Sequence, residues 1–388
     1  MTLSKFALIR DGHDALKRGD AATARACFEQ AASLDPRDAD AWFGTALAAR
    51  NLGDNGAAHA ALDRALALAP RSLRALVAKA DLCTADGDVR AAASFYAAAI
   101  RNAPPQLSAE QQSELRRAQE MRERFAREYE NFLLEKLAAG GFDANRSSPR
   151  FRQSLDLMMG RKKIYLQQPQ QYYFPELPQI QFYDREQFPW LEAIEAATED
   201  VAAELEAVLT TGAEFEPYVQ EQLDRPRRTD DRMTNNEGWT AYYLWRDGRI
   251  VEDHASHCPK TMKALEHAPL CTIRGRTPSV LFSRLRAGAR IPAHTGYINA
   301  RLICHLPLIV PEGCGFRVGN DVRAWQKGKA LVFDDTMEHE AWNDSPNTRI
   351  VLLFEIWRPE LSEEERALVS TLIEAVDAYG GAATRWTA

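Results

Sequence analysis

The sequence lacks any apolar run approaching the roughly 18–20 residues of a membrane-spanning helix. Its opening, Met1 to Arg10, lacks the apolar stretch and small-residue cleavage site of a secretory leader. There is no excess of basic charge. The 48 Lys and Arg stand against 55 Asp and Glu, a formal charge of −7, which argues against sequence-independent nucleic-acid binding because that needs cations to neutralise phosphates. Six cysteines (Cys27, Cys83, Cys258, Cys271, Cys304, Cys314) have no CxxC spacing, which excludes a zinc module of that type and disfavours a disulfide framework. Histidine is scarce too: of eight, three (His294, His305, His339) crowd into 46 residues. These absences predict a cytoplasmic protein with no membrane span and no nucleic-acid partner. The 388 residues suggest two or three domains at roughly 100–200 residues each.

Alanine, by contrast, fills 30 of the first 100 positions, and it does so in register. Gly19-Asp20, Gly53-Asp54 and Gly87-Asp88 recur every 34 residues, as do Ala31, Ala65 and Ala99, and Pro36, Pro70 and Pro104. The Gly-Asp pair turns the chain and caps the following helix, small alanines let two helices approach, and proline ends each unit. This pattern over residues 1–105 resembles the tetratricopeptide repeat, three units of an all-α solenoid. The resemblance implies a concave surface for a peptide or protein partner, with a spacer or dimerisation element as the alternative.

Residues 106–184 form a junction. A charged amphipathic stretch from Ser108 to about Ala138 suits a capping helix. The segment from Gln167 to Trp190 then carries four prolines among many aromatics, which forbids a long helix and favours extended chain laid over a neighbouring domain. Leu191 to Thr210 reads as one amphipathic helix with Leu191, Ile194, Val201, Leu205 and Val208 on a face.

From Trp239 onward short β-rich runs follow one another without helical patterning over Pro278 to Trp357. That predicts an antiparallel barrel or jelly roll with flanking helices, making the whole chain a multidomain α + β protein. His294 and His339 bracket this region, and a pair of histidines with a carboxylate on such a barrel suits non-haem Fe(II). The carboxylate expected two residues after His294 is missing, because position 296 is Gly. Spacing alone leaves each histidine open to being an ordinary turn or core residue.

The run from Ser283 to Leu361 decides more. Its PAHTG, N-x-R-L-x-x-H (Asn299 to His305), FDD-x-x-x-H-E-x-W (Phe333 to Trp342) and W-x-P-E-L (Trp357 to Leu361) elements resemble, in order, the aspartyl/asparaginyl β-hydroxylases. With GWTAYYLWRDGR and CPKTMKAL upstream, the similarity covers about residues 185–365. The resemblance implies a double-stranded β-helix dioxygenase domain over 185–388 that uses Fe(II), 2-oxoglutarate and O2. His294 and His339 would be the metal ligands, a set that in this family lacks the carboxylate. Arg349 and Ser283 would hold the distal carboxylate of 2-oxoglutarate, His305 its inner carboxylate, and Trp239 would line the same site. Arg301 would face the substrate, whereas Ile303 stands where the family is basic. Asp334 and Asp335 read as shaping the turn that presents His339.

The implied activity is hydroxylation of an unactivated carbon, most simply Cβ of an Asp or Asn residue in a peptide or protein recruited by the repeats. Three alternatives stay open: a two-histidine dioxygenase acting on an acyl chain or small molecule, a halogenating enzyme, and a catalytically inactive tetratricopeptide scaffold.

Overall fold

A computed structural model describes residues 4–221 and 234–380. The chain forms two compact units, Met1–Arg152 and Gln153–Ala388.

The first unit is helical. Helices α1 (Lys5–Lys17), α2 (Ala21–Leu34), α3 (Ala39–Asn51), α4 (Asn55–Leu68), α5 (Leu73–Ala85) and α6 (Val89–Arg101) form three antiparallel pairs, each spanning one 34-residue period. The turn chemistry repeats with them. Gly19, Gly53 and Gly87 adopt φ of +81°, +76° and +78°, a left-handed conformation that glycine alone enters without steric cost. The next residue caps the second helix: Asp20, Asp54 and Asp88 accept from the amides of Thr23, Ala57 and Ala91. Helix α7 (Ala109–Ala139) starts at a Ser108/Gln111 capping box and closes the stack, burying Ala118 and Phe125 against Tyr96 and Leu73. Asp81 of α5 ties the three helices together, accepting from the Tyr96 hydroxyl at 2.6 Å and from both terminal nitrogens of Arg117 at 2.7 and 2.8 Å. Helix α8 (Pro149–Met158) follows.

The second unit is β-rich, flanked by α9 (Leu191–Ala196), α10 (Thr198–Thr210), α11 (Glu252–Ala255), α12 (Pro259–Leu265) and α13 (Glu363–Gly380). Its strands are β1 (Glu216–Pro217), β2 (Trp239–Arg246), β3 (Arg249–Ile250), β4 (Val280–Leu285), β5 (Arg290–His294), β6 (Arg301–Ile309), β7 (Cys314–Val318), β8 (Asp321–Arg323), β9 (Leu331–Phe333), β10 (His339–Asn343) and β11 (Arg349–Trp357). One sheet has the order β1-β2-β4-β11-β6-β9, with β3 on β2, and the other β5-β10-β7-β8. Every pairing between these strands is antiparallel.

Alternation along β11 explains the architecture. Ile350, Leu352, Phe354 and Ile356 pack with Leu302, Leu306 and Phe282 against Leu191, Ile194, Val201 and Leu205 of α9 and α10. Val351 and Leu353 turn the other way and meet Ile291, Phe316, Val318 and Ala341 of the small sheet. Both faces of the large sheet are therefore covered, so its central strands read as largely apolar and not as an alternating pattern. The helix expected over 191–210 is two helices, broken at Ala197, where the Thr198 hydroxyl donates to the Glu195 carbonyl at 2.6 Å. The break leaves Ile194 and Val201 buried together, so the apolar face survives it. Among the described residues no helix is long and apolar enough to cross a membrane.

Candidate active site

Strand pairing, not sequence proximity, builds the histidine pair. β5 and β10 are adjacent and antiparallel with His294 and His339 directly opposite each other. Their rings lie with centroids 4.1 Å apart at 49°. Each ring is held by its own strand: Nδ1 of His294 lies 2.8 Å from the Pro292 carbonyl oxygen, and Nδ1 of His339 lies 3.0 Å from that of Met337. A carbonyl only accepts, so both Nδ1 atoms carry the proton and both neutral rings keep their lone pair on Nε2. Burial holds both imidazoles below their ordinary pKa, His339 well below it with the neighbouring His294 adding to the effect.

One cavity contains every site residue singled out from the sequence: Trp239, Ser283, His294, Arg301, His305, His339 and Arg349 all line it. On the large sheet, Trp239 and Ser283 lie on neighbouring strands, and the indole Nε1 donates to the Ser283 hydroxyl at 3.1 Å. Arg349 donates from Nη1 to the Ser283 carbonyl at 3.2 Å, and its guanidinium lies 4.5 Å over the Trp325 ring. His305 is packed among Phe316, Phe333 and Trp325, with Nδ1 buried and unpartnered. Burial, then the positive charge of Arg349, pushes its pKa well down, so the ring is neutral.

Four arginines of this unit are almost fully buried, and one differs from the rest. Arg276 pairs with Asp377. Arg358 pairs with Asp334 at 3.1 Å and Glu360 at 3.6 Å. Arg301 pairs with Asp335 at 3.1 Å and Glu355 at 3.2 Å. Arg349 is 1% exposed, its Nε has no partner, and among the described residues no carboxylate lies within ion-pairing reach of it. Burial lowers its pKa below the ordinary guanidinium value. A desolvated cation without a counter-charge is costly, and an anionic ligand would relieve that cost.

Gly296 is explained by its neighbour. A Cβ at this position would fall 1.9 Å from Oδ2 of Asp335, so the space next to the His294 loop already holds a carboxylate from the opposite loop. Burial pushes the Asp335 carboxyl up to about 6, with Arg301 pulling against it. Among the described residues no group of three or more His, Cys, Asp or Glu has a metal-binding arrangement, so the histidines stand as a pair.

Sequence reasoning missed several residues in or beside this cavity. Tyr218 stacks on Trp239 with centroids 4.0 Å apart, and Trp325 covers Arg349; neither position carries a local signal. Glu355 did carry one, since a charge inside the apolar run of β11 falls on the same strand face as Arg349. The donors present suit a particular pair of guests. Two facing imidazole nitrogens are a fitting ligand set for Fe(II), and an unneutralised guanidinium fork beside a hydroxyl suits a carboxylate.

Residues 195–359 match the family model described as Aspartyl/Asparaginyl beta-hydroxylase, and residues 10–58 and 45–106 match that of the Tetratricopeptide repeat. The human Aspartyl/asparaginyl beta-hydroxylase is 36% identical over 138 residues, 35% of this chain and 18% of that protein. The Ornithine lipid ester-linked acyl 2-hydroxylase of Rhizobium tropici is 38% identical over 181 residues, 46% of this chain and 60% of the relative. The human Aspartate beta-hydroxylase domain-containing protein 2 is 27% identical over 52% of this chain and 53% of its own length. The chain thus spans from under a fifth to about three fifths of these relatives.

Proposed function

We propose that this chain, whose residues 195–359 form an aspartyl/asparaginyl β-hydroxylase family domain behind tetratricopeptide repeats, is an Fe(II)- and 2-oxoglutarate-dependent dioxygenase that hydroxylates an unactivated carbon. The observation that carries this reading is Arg349, a buried guanidinium that meets no carboxylate among the described residues, in the same cavity as the histidine pair. His294 and His339 would hold the iron through Nε2. Arg349 and the Ser283 hydroxyl would take the distal carboxylate of 2-oxoglutarate, and neutral His305 would meet its inner carboxylate. Trp239 orients Ser283 through the indole hydrogen bond. Bound iron would supply oxygen activation coupled to decarboxylation of 2-oxoglutarate, giving succinate and one oxygen for insertion. The protein's own contribution is a cavity whose charged and aromatic walls would fix the guests.

The substrate in this reading is an Asp or Asn residue, modified at Cβ, in a peptide or protein carried by the repeat surface. The two antiparallel sheets support the double-stranded β-helix description of the catalytic half. Similarity to a lipid acyl hydroxylase supports a second substrate class, an acyl chain. Protein reconstituted anaerobically with Fe(II) should bind 2-oxoglutarate and release succinate once oxygen is admitted. Failure of both would leave the inactive-scaffold reading. Candidate substrates should gain one oxygen on Asp or Asn; gain on an acyl chain would move the assignment to lipid.

A further inference from the structure

The extended segment before α9 straps the two histidine loops together. The amide of Gln168 donates to the Thr336 carbonyl at 2.7 Å, that of Gln170 to Gly296 at 3.0 Å and that of Gln171 to Tyr297 at 3.0 Å. One side chain joins the loops directly. Nε2 of Gln167 donates to Oδ2 of Asp334 at 2.7 Å, and its Oε1 accepts from Nδ2 of Asn299 at 2.9 Å. Asn299 follows His294 by five residues and Asp334 precedes His339 by five, so a single primary amide spans equivalent points of both loops. Arg358 makes a second bridge between the same two residues, to the Asn299 carbonyl at 3.1 Å and the Asp334 carboxylate at 3.1 Å.

None of these four side chains lines the cavity. Asn299, Asp334 and Arg358 are fully buried and Gln167 is 7% exposed. Burying an ion pair and two amides is a poor route to stability compared with apolar packing, but a saturated network holds its members in one arrangement. The remaining Asp334 oxygen accepts from the Thr336 amide at 3.0 Å and hydroxyl at 2.5 Å, so the turn entering β10 is fixed as well. What the network holds constant is the relation between the loops that carry His294 and His339.

We infer that Gln167 is a positioning residue, whose amide sets the spacing of the two histidine loops and through it the affinity of the pair for a divalent metal. This rests on the metal-binding role assigned above to His294 and His339. Substitution Gln167→Met keeps the length of the side chain and removes both hydrogen bonds; Gln167→Asn keeps the amide and shortens its reach. Anaerobic titration with Co(II), followed by its visible absorption and by calorimetry, reads the pair without turnover. Both variants should bind Co(II) roughly 10–100-fold more weakly than wild type, with an altered absorption band. Tyr173→Ala, a change at a half-exposed strap residue (52%), should bind as wild type does. If Gln167→Met does not fold, Gln167→Asn carries the test alone, with circular dichroism confirming its fold. Wild-type affinity and spectrum in a folded Gln167 variant would overturn the inference while leaving the metal reading intact. Failure of the wild-type protein to bind Co(II) would overturn both.

Discussion

The guanidinium of Arg349 lies 4.5 Å over the indole of Trp325, and among the described residues it meets no carboxylate. Arg301 and Arg358, equally buried, each meet two. Cation–π contact and one carbonyl offset only part of the desolvation cost of Arg349. Under the proposed function, the distal carboxylate of 2-oxoglutarate would recover the rest of that cost.

That cost gives the first expected outcome. Arg349→Met should leave the melting temperature unchanged or raise it, because it removes an unneutralised buried charge. On the proposed function, 2-oxoglutarate should stabilise the wild-type protein by mass action, and the same substitution should abolish that effect. Differential scanning fluorimetry with and without 2-oxoglutarate checks both halves. A large drop in the melting temperature of the ligand-free variant would mean that Arg349 has a structural partner.

Gly296→Asp should fail to add a carboxylate ligand to the proposed metal-binding pair His294 and His339. Its Cβ would overlap Oδ2 of Asp335, and its carboxylate would face a like charge. Overpacking of this kind costs about 1–3 kcal/mol before the repulsion is added. Urea denaturation should show that loss, and Co(II) titration should show weaker binding than in the wild type. Asp335→Gly combined with Gly296→Asp clears the overlap and should recover part of the stability.

The two halves of the chain differ in how far the sequence alone carries. Residues 1–105 were legible down to the individual cap, because each Gly-Asp turn is a local device that acts within a few residues. That His294, His339 and Arg349 share one cavity was suggested by family motifs alone, since register brings strand ends together in a way no spacing rule reports. Asp335 read as a turn-shaping residue, and its contact with Gly296 could not be foreseen because the two sit on different loops. Gln167 lay in a segment recognisable as extended from its prolines, yet its partners are 132 and 167 residues away. Pairings at that distance are set by tertiary packing, which leaves no periodicity behind.

In the helical unit, Gly44→Ala tests close packing rather than conformation. A Cβ at Gly44 would lie 2.3 Å from the ring of Phe28, which is fully buried. The ring would have to shift against α1 and α3, at a cost of about 1–3 kcal/mol. Gly56→Ala, a helical site with only a 3.8 Å contact, should instead stabilise by roughly 0.5–1 kcal/mol through helix propensity. Opposite signs for the two substitutions in thermal denaturation are the expected result.

Asp335 makes the protein's stability depend on pH in a direction that can be worked out. Its folded pKa, near 6, lies above the unfolded value of about 3.9, because burial disfavours the charge more than Arg301 restores it. A raised carboxyl pKa contributes stability that is fully present below the unfolded value and lost as pH rises through the folded one. The stability of the wild type relative to Asp335→Asn should therefore fall between about pH 4 and pH 6 and level off above that. Arg301→Met sharpens the test. Without the guanidinium, Asp335 and Glu355 stay buried with no cation, so the variant should be destabilised by about 3–5 kcal/mol at neutral pH. Protonation removes both charges, so much of that loss should be regained in acid. Chemical denaturation at several pH values checks the sign: a loss that does not shrink on acidification would mean that Arg301 acts through packing and not through its two carboxylates.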